Sequence, residues 1–287
     1  MSGLARSPQE AMILCMVTAG LLALVAAGLL RWLRAGRVWT DLLVPLSFLV
    51  AYWLTYNKVP SFPPVGAVNK IFFVALIGTA LAILAEAAGR SRLGRALVLA
   101  QPIASAAYIG TARLPDALPE VAVAGLWGLL AMYGLSGRIG QAEDETETRR
   151  AALLGIACTG FAPIALLGAS SSSFQLSLLF AAAVAAIVAA NISNPDFGFR
   201  SASLLGGAGG MIAVAQTVTL ITRKTDMLAL AVLSLVFVAP FVVDPVLSRI
   251  PTTNKAVRLA AFVGMCLLPV GASLATVIAR YGSSFPV

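Results

Sequence analysis

Apolar runs of about twenty residues follow one another along the chain, each closed by a short polar, glycine- or proline-containing break. A helix rises about 1.5 Å per residue and the hydrocarbon core of a bilayer is about 30 Å thick, so such runs predict membrane-spanning helices. Ten segments fit: 12–30, 40–56, 70–88, 96–111, 121–136, 151–169, 176–193, 201–222, 227–243 and 256–279. The fourth is interrupted by Gln101-Pro102. The first is longer than the apolar core of a secretory signal, about 7–15 residues, and runs into Arg31-Trp32 without a small-residue cleavage pattern, so it is read as an uncleaved span. The pattern predicts an all-α, polytopic transmembrane bundle of about ten helices in a single domain.

The breaks are short, except for two. NKVPSFPPVGAVN, between the second and third runs, carries Pro60, Pro63 and Pro64, which fix φ and favour an extended cap. GRIGQAEDETETRR, after the fifth run, sets Glu143, Asp144, Glu145 and Glu147 among arginines and reads as a solvated linker between halves 1–145 and 146–287. Five spans on each side would insert the halves in opposite senses, the arrangement of inverted-repeat transporters. The internal match is faint: Thr18 and Thr159 lie at similar depths, and ALIGTALAILAE laid over LGGAGGMIAVAQ pairs Glu86 with Gln216.

Charge adds an orientation. Arg31, Arg34, Arg37, Arg90, Arg92, Arg95, Arg138, Arg149, Arg150, Arg200, Arg249, Lys255 and Arg258 fall on one side of the ten-span map. Arg6, Lys58, Lys70, Arg113, Arg223, Lys224 and Arg280 fall on the other. Because cytoplasmic loops retain Lys and Arg, the richer side is predicted to be cytoplasmic and both termini to lie outside. A charged fraction of 11% and a mean hydropathy of +0.92 exclude an ordinary soluble domain, whose charged share is roughly 25%. The net charge of +8 does not imply nucleic acid, since the basic residues form no continuous stripe; anionic lipid is the expected partner.

The sequence contains no histidine, and Cys15, Cys158 and Cys266 occupy three separate spans. Haem, structural zinc and disulfide frameworks need clustered ligands, so neither cofactor nor metal is expected. Polar groups inside the spans are then the candidates, because hydrocarbon offers them no partner. Glu86 lies near the end of the third span, four residues before Arg90, and reads as an interfacial anchor paired with it. Asp41, four residues after Arg37, and Asp244, beside Pro245, read as boundary residues. Gln101 and Gln216 are deeper and uncharged; with Glu86 they mark the candidate substrate pathway, a helix-packing role being the plain alternative. Pro102, Pro163, Pro240 and Pro269, together with Pro45, interrupt spans and predict helix breaks. The run Gly206-Gly207-Ala208-Gly209-Gly210 reads as a site of close helix contact.

The size and five-plus-five arrangement look like those of the drug/metabolite transporters, whose termini are expected in the cytoplasm, opposite to the charge bias here. The acidic and Pro-Gly-x-Ser-Arg-Ser motifs of the undecaprenyl-diphosphate phosphatases do not occur. No family follows from the sequence. The favoured function is a small-solute or lipid transporter with a pathway between kinked helices. The alternative is a non-enzymatic subunit or assembly factor bound to other membrane proteins. Catalysis lacks a histidine base or a pair of carboxylates within the spans.

Overall fold

The computed structural model describes residues 7–137, 143–193, 197–247, 249 and 254–281. Among them the fold is all-helical, a bundle of ten helices of which nine are long and apolar enough to cross a membrane. This is a multi-pass membrane protein. The ten are α1 Pro8–Trp32, α2 Arg37–Tyr56, α3 Ala67–Ala87, α4 Ser91–Ile109, α5 Leu118–Ser136, α6 Glu143–Leu167, α7 Ser171–Ser193, α8 Ser203–Thr222, α9 Met227–Leu247 and α10 Lys255–Tyr281. The helix that falls short on apolarity is α4. Arg92, Arg95, Gln101 and Ser105 dilute it, although its 19 residues are long enough to span.

Local chemistry sets several ends. Ser7 and Glu10 form a capping box, Ser7 Oγ accepting from the Glu10 N–H while the Glu10 carboxylate accepts from the Ser7 N–H. Ser170 caps α7 more simply, its hydroxyl accepting from the Ser173 N–H, so the run Ser170–Ser173 is a helix start. After α3 the chain turns through Gly89 at φ +63°, a conformation glycine adopts without a Cβ penalty. That turn corrects the expected pairing of Glu86 with Arg90: α3 ends at Ala87 and Arg90 caps α4, so the two residues share no helix face, and no ion pair joins them. A second correction concerns the charged linker. Its first residues, 138–142, lie outside the described residues, but from Glu143 it is helix, and Thr146, Glu147, Thr148 and Arg149 are buried in the bundle.

Burial identifies the hub. In α8, 89% of the most apolar stretch is buried, against 17% in α1, which lies on the lipid side. The hub packs against α2, α3, α4, α5 and α7. Its start, Ser203–Ala208, and its end, Val218–Thr222, are wound as π-helix around a regular Gly209–Thr217. Glycine there permits close approach. A Cβ on Gly206 would meet Thr79 Oγ1 at 2.1 Å and Pro45 Cβ at 2.5 Å, and one on Gly209 would meet the Gln101 amide at 2.2 Å. The halves interleave, α1 lying along α7 and α2 along both α7 and α8; α10 packs on α6, α7 on α6 and α4 on α5.

Candidate functional site

Gln101 and Gln216 meet at one helix interface. The Gln101 amide donates to the Leu205 carbonyl in the π-wound start of α8 at 2.6 Å, while its own oxygen is buried without a partner. Gln216, fully buried, donates to the carbonyls of Pro102 (2.8 Å) and Ala124 (3.3 Å) and accepts from Ser105 Oγ (2.5 Å). It therefore joins α8 to α4 and α5 beside Pro102. Neither glutamine lines any of the three cavities described below. Glu86 is half-buried at the end of α3 and makes no hydrogen bond to either glutamine. Pro102, Pro163 and Pro269 lie within α4, α6 and α10; Pro240 follows the 3-10 turn Leu235–Phe237 that divides α9. Gln216→Leu would strip three groups of a partner. It is expected to lower stability by about 0.6–2 kcal/mol, read as the unfolding midpoint in mild detergent. An unchanged midpoint with a lost activity would instead place the amide on a pathway.

The end of the bundle that carries the arginine clusters is bound into a block. Asp41, with no exposed surface, accepts from the backbone N–H groups of Arg200 (2.6 Å), Ala202 (2.8 Å) and Ser203 (3.2 Å), and its carbonyl accepts from Ser203 Oγ. It thereby supplies acceptors and negative charge at the N-terminus of α8, where backbone donors lack helical partners. The Gly198 N–H donates to Thr40 Oγ1 and the Phe197 N–H to Asn191 Oδ1, while the Asn191 amide donates to Thr148 Oγ1. The Arg31 guanidinium lies 4.9 Å over the Phe197 ring. Glu147 pairs with Arg200 at 2.9 Å.

Beside these contacts Arg149, 2% exposed, donates to Asp244 on α9 at 2.6 Å and to Glu145 one turn back, and stacks 5.1 Å over Phe262 of α10. Arg258 of α10 approaches Glu145 at 3.5 Å. Arg150 donates to the Ser136 and Gly137 carbonyls at the end of α5. Asp41, expected at a boundary, is thus a buried cap, and Asp244 a half-buried ion-pair partner.

At the opposite end α5, the last turn of α8 and the first turns of α9 part to leave a crevice of about 640 Å³. Its walls are apolar, formed by Val123, Ala124, Trp127, Leu220, Met227 and Leu230. Its mouth is not: Glu120 and Arg223 form an ion pair at 3.0 Å with each side chain about half exposed, 53% and 50%, and Thr225 stands beside them. From Pro119 to Trp127 the crevice follows α5 for about 12 Å, taking about 1.5 Å per residue. Trp127 closes it, the indole N–H donating to Ser234 Oγ on α9.

Below, and sharing Trp127 as a wall, lies a second cavity of about 30 Å³ among Leu135, Leu154, Cys158, Phe161, Met211 and Phe237. The two cavities adjoin at Trp127, and both are lined by α5, α8 and α9. The third, about 380 Å³, is a shallow apolar groove across α6, α7 and α10. Sequence reasoning found the glutamines by their polarity; it missed Trp127, whose position in mid-span, away from the aromatic belts at span ends, was the available signal.

Comparison with protein-family models, with curated proteins and with solved structures finds no match to this chain.

Proposed function

We propose that the protein is a non-enzymatic transporter that moves a small amphipathic molecule along the interface of α5, α6, α8 and α9. The arginine-rich end would face the cytoplasm of an inner-type cell membrane, with both termini outside. One observation supports this reading above the others: a crevice at the Arg223 end shares the Trp127 side chain with a much smaller apolar cavity, and the Arg149 ion pairs tie the bundle at its other end. A substrate could enter from one side while the other stays shut, the requirement of alternating access. The crevice falls within the roughly 300–1,000 Å³ range of small-molecule sites, and its apolar walls suit the tail of an amphipath.

A non-enzymatic subunit of a larger membrane complex is the second reading. It is favoured by the way Gln101, Gln216 and Ser105 are spent on helix-to-helix hydrogen bonds.

Cys158 decides between them. It lines the small cavity and is 1% exposed. In a variant with Cys15→Ser and Cys266→Ser, a charged thiol reagent applied to membrane vesicles should label Cys158 slowly. Adding Trp127→Ala should speed labelling from the Arg223 side by at least tenfold. Continued protection of Cys158 in a folded Trp127→Ala protein, judged by an unchanged elution profile, would rule out a continuous track and favour the subunit reading.

A further inference from the structure

The mouth of the crevice narrows the class of ligand. Arg223, just past the end of α8, and Glu120 of α5 stand side by side, 3.0 Å apart and both half exposed, so each can turn to an incoming group. Arg223 caps α8 in the left-handed conformation, φ +54°, which holds its backbone at the crevice edge. Next to it the Thr225 hydroxyl oxygen is buried and has no hydrogen-bond partner, an uncommon state for a buried polar atom. Thr225 lines the crevice together with Arg223, so a small turn of its side chain would present this hydroxyl to a bound headgroup as a second donor. The neighbouring Asp226 is not part of the crevice lining: its Oδ1 accepts from the Leu228 and Ala229 N–H groups at the start of α9 and from Arg280 at 2.9 Å, while its Oδ2 is buried without a partner.

An amphipath carrying only a positive charge would meet the Arg223 guanidinium, and one carrying only a negative charge would meet the Glu120 carboxylate. Like charges a few ångströms apart repel, and the low-dielectric walls strengthen the repulsion. A headgroup with both charges replaces the existing ion pair with two new ones. We infer that the crevice binds a zwitterionic, single-chain amphipath, its ammonium on Glu120, its anionic group on Arg223 and Thr225, and its chain along Val123, Leu230 and Trp127. The assignment rests on the transport reading, in which this crevice receives the substrate, and names the substrate class.

Trp127 reports occupancy directly. In a protein with Trp32, Trp39 and Trp53 replaced by Phe, held in neutral detergent, its fluorescence is followed while three single-chain probes with bromine on the tail are added. The first is a phosphoethanolamine amphipath, the second an alkylamine and the third an alkyl phosphate. Saturable quenching by the phosphoethanolamine probe, at least tenfold tighter than by the other two, is the expected result. Glu120→Gln should move the preference toward the alkyl phosphate and Arg223→Gln toward the alkylamine. Equal quenching by all three, unchanged in both variants, would overturn the zwitterion assignment while leaving transport to the Cys158 labelling. Absence of quenching by any probe would remove the crevice as a binding site, and the transport reading would lose its substrate entrance with it.

Discussion

Asp41→Ala is expected to destabilise the folded protein sharply. The carboxylate receives three backbone N–H groups from the start of α8, and its residue has no exposed surface through which water could replace it. A buried donor left without a partner costs about 1–3 kcal/mol, so three of them amount to roughly 3 kcal/mol even at the lower figure. That is a large share of the total, since net stabilities of folded domains are only about 5–15 kcal/mol. The damage would not stay local. The π-wound start of α8 holds Leu205 against the Gln101 amide and brings Gly206 against Thr79 and Pro45. Heating in detergent followed by size-exclusion chromatography should show a sharply lowered midpoint for Asp41→Ala and a smaller drop for Asp41→Asn, which keeps one carbonyl acceptor. Equal midpoints for the wild type and Asp41→Ala would show that the cap contributes nothing to α8.

The contrast between Asp41 and the apolar spans shows what could be read from the chain alone. Span length answers to a bilayer thickness that every membrane helix shares, so runs of apolar residues placed ten helices close to where they occur. The start of α6 was misplaced because Glu145, Glu147 and Arg149 look like loop residues when considered by themselves. Their burial depends on partners far along the chain: Asp244 is 95 residues from Arg149, and Arg200 is 53 from Glu147. Asp41 likewise stands four residues from Arg37, which suggested a boundary residue, whereas its partners are backbone groups about 160 residues away. No spacing rule reaches that far. Gln101 and Gln216 were conspicuous as amides among apolar residues, and the structure brings them to adjoining parts of one interface; what spacing could not supply was the set of carbonyls that occupy them. The crevice had no signature at all, because it arises from the divergence of α5 and α9, and only the depth of Trp127 in its span hinted at it.

Arg149→Met should weaken the arginine-rich end and make Cys158 accessible from that side. Arg149 is nearly inaccessible and touches three elements, pairing with Glu145 on α6 and Asp244 on α9 and stacking on Phe262 of α10. Removing one partner of a buried pair costs about 3–5 kcal/mol because the other charge stays behind. Here Glu145 and Asp244 keep 22% and 27% exposure, so water offsets part of this and the lower end, about 3 kcal/mol, is expected. Met fills much of the same volume, which separates loss of charge from loss of packing. The double variant Arg149→Met/Asp244→Asn should recover part of the lost stability, since it no longer strands a carboxylate facing an apolar side chain. If the network also shuts the track, Cys158 should be labelled from the arginine-rich face at least tenfold faster in Arg149→Met than in the Cys158-only parent. Lowered stability with Cys158 still protected would make Arg149 a structural tie alone, and the closed end of the track would have to be the packing of Leu135 and Phe237 around the small cavity.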